Sequence, residues 1–143
     1  MNVYEYLLSY NVKPSVQRIA IMDYLLKHKT HPSIDDIYLA LSKSIPTLSK
    51  TTVYNTLKLL TENGAAQMLT IDERNACFDG DITPHAHFQC KACGKIFDVF
   101  DMPENQSAES LKSEGFCIDE IQVYYKGLCP SCVKKKLKNE KEQ

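Results

Sequence analysis

The chain has 143 residues, of which 43% are hydrophobic, and this suits either one medium soluble domain or two small ones. Its net charge of −1 excludes a bulk basic nucleic-acid binder, so any DNA-binding surface must come from local placement of Lys and Arg. No apolar run is long enough to cross a membrane, and residues 1–5 do not begin a signal peptide. We therefore expect a cytoplasmic protein, without membrane association, whose six cysteines stay reduced.

Apolar periodicity predicts three helices in the first part of the chain. The first covers residues 2–10. The second opens at Pro14 or Ser15 and ends near His28, and Ser33 is the predicted N-cap of the third.

A fourth helix is predicted between Ser49, as its N-cap, and Gly64, as its C′ glycine. Two short strands, 65–69 and 76–79, follow as a hairpin, and helices followed by a hairpin indicate a winged helix-turn-helix. The outer face of the fourth helix has the donors that base edges need and the cations that phosphates need, although an ordinary solvated face has similar composition. The candidate DNA-binding residues on this face are Lys50, Thr51, Thr52, Tyr54, Asn55 and Lys58.

The second part of the chain has the pattern of a small α/β domain. Its predicted elements are strands at 88–89, 96–99 and 118–125 and a helix over about 108–114. We therefore predict an α+β protein with a winged-helix DNA-binding domain over residues 1–82 and a second domain over residues 83–143. Strand edges of such a domain commonly pair across a two-fold axis, which favours a dimer.

Two CxxC motifs, Cys90-Lys91-Ala92-Cys93 and Cys129-Pro130-Ser131-Cys132, are the strongest chemical signal in the chain. Each motif holds two thiolates within one turn, and together they provide the four sulfur ligands that structural zinc prefers. The alternative interpretation is a pair of redox motifs. Cys117 lies outside both motifs, and we expect it to be a buried small hydrophobic residue.

A second set of donors combines histidines and carboxylates. His85 and His87 would lie on one side of a strand, because side chains alternate with period two. Asp79, Asp98 and His31 could complete a nitrogen and oxygen site, which suits Fe(II), Mn(II) or Zn(II). The alternative is a group of surface histidines and hydrogen-bonded aspartates.

These motifs together resemble the Fur (ferric uptake regulator) family of metal-dependent repressors, over nearly the whole chain. The residues that carry the resemblance are Gln17-Arg18, His31-Pro32, Asp35-Asp36-Ile37-Tyr38, Thr52-Val53-Tyr54-Asn55-Thr56-Leu57, His85-Ala86-His87, and both CxxC motifs, the first extended as Cys93-Gly94-Lys95.

The resemblance implies a homodimer that binds a palindromic double-stranded DNA operator. It implies a winged helix-turn-helix followed by a small zinc-stapled α/β dimerisation domain, and no enzymatic activity. It places the structural Zn(II) on Cys90, Cys93, Cys129 and Cys132. It places a regulatory Fe(II) or Mn(II) on His31, Asp79, His85, His87 and Asp98.

Within the family, the details resemble the peroxide-sensing PerR branch. Iron-sensing members usually have Glu where this chain has Asp98, and a basic residue is common where it has Asn55. Cys77, two residues before Asp79, keeps a zinc-uptake repressor open, and an iron-uptake repressor is the other alternative within the family. A zinc-stapled protein-interaction module is the alternative from another class. A zinc enzyme is disfavoured, because four thiolates leave no open position on the ion.

Overall fold

The computed structural model describes residues 2–72, 74–101 and 105–141. They form two units, of which the first ends at Thr83 and the second begins at Pro84. Both units combine helices with a small sheet, so the predicted α+β class is confirmed. Among the helices in these ranges, none has the length and apolar character that a membrane span requires.

The first unit is a winged helix-turn-helix, as the sequence predicts. Its elements are α1 (Val3–Ser9), α2 (Val16–Lys27), α3 (Ile34–Leu41), α4 (Lys50–Glu62), β1 (Gln67–Leu69) and β2 (Cys77–Asp79). The strands β1 and β2 pair antiparallel and form the wing. Apolar side chains from all four helices meet in one core, which includes Leu7, Ile21, Met22, Leu25, Ile37, Val53, Leu57 and Leu60.

Serine caps fix where three of these helices begin. The side-chain oxygens of Ser15, Ser33 and Ser49 each accept a backbone N–H from the first turn of the helix that follows. In turn, the Asp36 carboxylate accepts a hydrogen bond from the Ser33 backbone N–H, which completes the predicted capping box.

A glycine and two backbone hydrogen bonds fix where α4 ends. Gly64 has a φ of +80°, the left-handed conformation that favours glycine. The Gly64 N–H donates to the Thr61 carbonyl, and the Ala65 N–H donates to the Leu60 carbonyl at 2.9 Å. This pair of bonds is a Schellman motif, and it turns the chain out of α4 into the wing.

The second unit contains a three-stranded sheet and two helices. Its elements are β3 (Ala86–Cys90), β4 (Ile96–Val99), α5 (Gln106–Ser113), β5 (Tyr124–Gly127) and α6 (Pro130–Lys141). The strand order is β4-β3-β5, with β4 antiparallel and β5 parallel to β3. The first CxxC motif follows β3, and the second opens α6, so the sheet brings both motifs to the same end.

Two sequence-based expectations in this unit are wrong. The sequence predicts a strand over 118–125, but β5 begins only at Tyr124 and extends to Gly127. Its place is set by parallel pairing with β3, a contact distant in sequence that the local pattern does not indicate. The sequence also predicts a buried Cys117, but this residue is exposed, because it follows the end of α5 in a segment without regular structure.

Candidate metal centres and nucleic-acid interface

The four sulfurs of the CxxC motifs converge in the second unit. Cys90, Cys93, Cys129 and Cys132 each offer one Sγ atom, and these atoms lie within 4.8 Å of one another. The Sγ atoms of Cys93 and Cys129 are 3.9 Å apart. Zinc–sulfur bonds of about 2.3 Å in a tetrahedron place neighbouring sulfurs about 3.8 Å apart, so this cluster fits a four-coordinate zinc ion.

The thiols of the cluster differ in acidity. Backbone N–H groups, first that of Cys93 and then that of Cys129, lower the pKa of the Cys90 thiol to about 6. Side-chain hydrogen bonds to neighbouring sulfur atoms, first that of Cys129 and then that of Cys90, raise the pKa of the Cys132 thiol to about 12. Four adjacent thiolates repel one another, and a bound dication removes that penalty. The cluster is therefore built to bind a cation.

In the first unit, His31 and Asp79 form a buried pair. The imidazole Nε2 of His31 lies 3.5 Å from the carboxylate Oδ2 of Asp79. Their side chains are only 3% and 1% exposed. Burial of two such polar groups is costly unless they bind each other or a further partner.

Backbone pairing explains why His31 lies at Asp79. Ser33 forms an antiparallel bridge with Cys77, and the Phe78 N–H donates to the Pro32 carbonyl at 2.9 Å. If this antiparallel register is continued by one residue pair beyond Pro32 and Phe78, His31 lies opposite Asp79. His31 itself has a φ of +58°, a conformation that a non-glycine residue adopts at a cost and that often marks a functional position.

In the second unit, two imidazoles converge on one carboxylate oxygen. His87 is paired with Asp98 across β3 and β4, and its Nε2 lies 3.3 Å from Asp98 Oδ1. His85, two residues earlier, places its own Nε2 3.2 Å from the same oxygen. Metal bonds of about 2.1 Å place neighbouring nitrogen and oxygen donors about 3.0 to 3.4 Å apart, so this donor set fits a divalent ion.

All six predicted DNA-binding residues lie on α4. Lys50, Tyr54, Asn55 and Lys58 are exposed, as is Thr51. Thr52 is half-buried. Its backbone N–H donates to the capping hydroxyl of Ser49, and that hydroxyl donates to the Thr52 hydroxyl. The Lys50 ammonium is paired with Asp35 of α3 at 3.2 Å, a pairing that the sequence pattern does not indicate.

The profile of the ferric uptake regulator family matches residues 9–126, most of the chain. The chain belongs to the ferric uptake regulator family. The peroxide operon regulator of Bacillus subtilis strain 168 is 37% identical over 126 residues, which cover 87% of this chain and 86% of that protein.

Solved structures of ferric uptake regulator proteins agree with this assignment. The peroxide-sensing PerR from Streptococcus pyogenes is 32% identical, with a TM-score of 0.51, covering 92% of this chain and 90% of that one. The Helicobacter pylori Fur protein, described with three functional metal-binding sites, is 22% identical, with a TM-score of 0.70 and coverage of 92% and 89%. The latter likeness supports the fold alone.

Two residues near the family's motifs are not identified by the sequence pattern. Phe100 stacks on the His85 imidazole, with ring centroids 4.9 Å apart. Strand periodicity could have indicated it, because Phe100 follows Asp98 by two residues. Gly80 follows Asp79 at a point where a Cβ atom would lie only 2.8 Å from the Leu25 carbonyl oxygen, and no local signal predicts that approach.

Proposed function

We propose that this protein is a homodimeric, metal-dependent transcriptional repressor that senses peroxide through a regulatory Fe(II) or Mn(II) ion. The observation that carries the proposal is the convergence of His85 and His87 on the Asp98 carboxylate in the second unit, together with the buried His31–Asp79 pair of the first. The similarity to the peroxide operon regulator of Bacillus subtilis supports peroxide as the signal that this protein senses. We place this activity in the cytoplasm.

Structural Zn(II) is assigned to the four sulfurs of Cys90, Cys93, Cys129 and Cys132. Four thiolate ligands complete the tetrahedral coordination of the zinc ion and leave no open position for a substrate, so the zinc has a structural and not an enzymatic role. We propose that residues 83–143, which contain this cluster, form the dimerisation domain. Because zinc ligation contributes folding free energy, the dimer depends on it.

The regulatory ion is assigned to His31, Asp79, His85, His87 and Asp98. In this proposal the first two residues bind the same ion as the other three, so that metal binding couples the first unit to the second. The ion favours DNA binding only if it binds the DNA-binding conformation more tightly than the open conformation, and only by the difference between those two affinities. Phe100, stacked on His85, helps to hold that imidazole in its ligating orientation.

A bound Fe(II) would supply the electron that starts cleavage of the peroxide O–O bond; a ligand imidazole would then gain one oxygen atom, and the other would leave as water. Mn(II) would supply the same charge without that reaction. His31 and His85 are the residues whose oxidation would end repression. An oxidised imidazole is a poor ligand, so its removal from the donor set lowers metal affinity and uncouples the two units. This mechanism makes the response to peroxide depend on which ion is bound.

Residues 1–82 are the proposed DNA-binding domain, with α4 in the major groove. Asn55 is exposed on α4 and has an amide that can both donate to and accept from a base edge, and Lys58 can bind phosphate. A two-fold symmetric dimer presents two copies of α4, which matches a palindromic operator with half-sites one or more helical turns apart.

Selection of genomic DNA fragments by the Mn(II)-loaded protein tests this function. We expect retained fragments to share an inverted repeat, to be protected in footprinting, and to be released when a chelator removes Mn(II). Retention without sequence preference, or retention that is indifferent to the chelator, would contradict a metal-dependent repressor. Salt-dependent binding also distinguishes it from a protein-interaction module.

A zinc sensor is the second candidate, and Cys77 is the observation that favours it. Cys77 and Asp79 are two residues apart in the short strand β2, so both lie on the same side of it. Burial raises the pKa of the Cys77 thiol, which keeps it protonated unless a metal binds. If Cys77→Ser keeps its Mn(II)-dependent DNA binding, Cys77 is not a required ligand. Loss of a zinc-specific response in that variant would favour the zinc sensor.

A further inference from the structure

Lys50 occupies an electrostatically unusual position at the start of α4. It is the first residue after the Ser49 cap, where unpaired N–H groups and the helix dipole already concentrate positive charge. The first turn of α4 contains no acidic residue. A cation in this place needs a partner from outside the helix.

That partner comes from α3. The Asp35 carboxylate lies 3.2 Å from the Lys50 ammonium, and the Tyr38 ring lies beneath it with its centroid 5.7 Å away. Asp35 is not needed to cap α3, because Asp36 and Ser33 form the capping box. The side chains of Lys50 and Asp35 are 60% and 67% exposed, so water and other anions can reach the pair.

The exposure of the pair decides what it can do. An exposed ion pair is weak and exchanges readily, so a DNA phosphate can replace Asp35 as the partner of Lys50. This exchange costs the free energy of the Lys50–Asp35 pair, so Lys50 binds a phosphate less tightly than it would without Asp35. Asp35 therefore opposes phosphate binding at this position, whatever the base sequence.

We propose that Asp35 is an internal competitor for the phosphate-binding residue Lys50, and that it lowers affinity for non-specific DNA. This inference rests on the proposed DNA-binding function. Operator binding recovers the lost affinity through base contacts elsewhere on α4, whereas non-specific binding depends on phosphate contacts alone. Because this cost does not depend on the base sequence, it lowers both affinities by the same factor, and non-specific binding, which has no base contacts, is left with the lower absolute affinity.

The test is a double-mutant cycle on the full-length Mn(II)-loaded dimer, with a random-sequence duplex as the probe over a range of salt concentrations. We expect Asp35→Asn to bind this duplex about two- to fivefold more tightly per protomer, the range expected for an exposed ion pair. In a Lys50→Gln background the same change should have no effect. Lys50→Gln alone should reduce the salt slope by about 0.9 for each phosphate that the variant no longer neutralises.

Asp23→Asn is the matched control, because Asp23 forms a similar exposed pair with Lys27 at 3.0 Å within α2. Equal increases in affinity from Asp23→Asn and Asp35→Asn, or an increase from Asp35→Asn that persists in the Lys50→Gln background, would show a bulk charge effect and overturn the inference. An unchanged affinity in Asp35→Asn would overturn it as well. Failure of the wild-type protein to bind any duplex would instead refute the proposed function itself.

Discussion

His31 and Asp79 meet in the first unit with His31 Nε2 only 3.5 Å from Asp79 Oδ2, and both side chains are buried. The pair is held by the antiparallel pairing between the segment before α3 and strand β2, and not by the hydrophobic core alone. A donor pair fixed by backbone pairing is available to a metal ion without a change of the local fold. The same arrangement makes His31 the residue whose removal should separate regulation from folding.

We therefore expect His31→Ala to lose Mn(II)-dependent operator binding while remaining a folded dimer. The physical reason is that the variant removes one proposed donor of the regulatory ion and leaves the sulfur cluster intact. Fluorescence anisotropy with operator DNA and sedimentation analysis would measure both properties. His28→Ala is the control, because His28 is exposed at the end of α2. Full operator affinity in His31→Ala would refute the coupling of the two units through this residue.

Removal of one proposed zinc ligand, unlike removal of His31, should destabilise the fold of the second unit. Cys90 is a buried member of the sulfur cluster, and we expect Cys90→Ser to lose zinc and the cooperative unfolding of the second unit. Metal analysis and circular dichroism during thermal unfolding would check this. Cys117→Ser, at an exposed cysteine outside the cluster, should behave as wild type. A stable, zinc-free Cys90→Ser dimer would contradict the structural role of the zinc.

Base reading and phosphate binding on α4 should be separable by mutation. Asn55→Ala should reduce discrimination between the operator and a mismatched operator by about 1–3 kcal/mol, the usual value of a bidentate base contact. Lys58→Ala should weaken binding to all duplexes similarly and reduce the salt slope by about 0.9 for each phosphate that it no longer binds. Competition assays with both duplexes at two salt concentrations would measure this. An equal reduction of specificity in the two variants would count against the assigned roles.

Gly80 should be intolerant of a side chain. A Cβ atom at this position would lie 2.8 Å from the Leu25 carbonyl oxygen, a backbone atom that cannot move independently of α2. Gly80→Ala should lower the free energy of unfolding by about 1–3 kcal/mol, as overpacking typically does. Gly127→Ala is the comparison, because its new Cβ would meet only the Phe88 ring, at 3.4 Å. Urea unfolding in which Gly80→Ala is no less stable than Gly127→Ala would contradict this packing.

Tyr6 should make the first unit sensitive to alkaline pH. Its hydroxyl donates to the Ala65 carbonyl at 2.7 Å, and burial, followed by the neighbouring Tyr10, raises the pKa of Tyr6 from 10.0 to about 12. Because the folded-state pKa is raised, this contribution to stability is complete below pH 10.0 and is lost as the pH rises towards about 12.

Urea unfolding across this pH range would measure the effect. The free energy of unfolding of the wild type should fall more steeply than that of Tyr6→Phe, which already lacks about 1 kcal/mol at neutral pH. Tyr125→Phe, at an exposed tyrosine of β5, serves as the control. Parallel profiles for wild type and Tyr6→Phe would show that the Tyr6 hydroxyl does not titrate in this way.

Features set by nearby residues can be predicted from the sequence. The predicted caps at Ser33 and Ser49 depend on hydrogen bonds within one turn, and the predicted bounds of strand β4, 96–99, are the observed ones. The sulfur cluster follows from spacing and zinc chemistry. These elements depend on short-range periodicity and on donor type, which a sequence displays directly.

Features set by distant pairing cannot be predicted in this way. The start of β5 at Tyr124 depends on its parallel partner β3. Donor type and the family resemblance put His31 and Asp79 in one set, but the bridge between Ser33 and Cys77 that brings them together has no local signal. The Lys50–Asp35 pair requires the packing of α3 against α4. Patterns within one segment contain no information about such long-range pairs.

Peroxide sensing through a bound Fe(II) is the central proposal for this protein. The most direct measurement is operator binding by protein loaded anaerobically with Fe(II) or Mn(II), before and after a small dose of peroxide, with mass spectrometry of the tryptic peptides. We predict that only the Fe(II) form loses binding, and that the peptide containing His31 or His85 gains the mass of one oxygen atom. Binding by the Fe(II) form that survives peroxide with both peptides unmodified would contradict peroxide sensing and indicate an iron sensor.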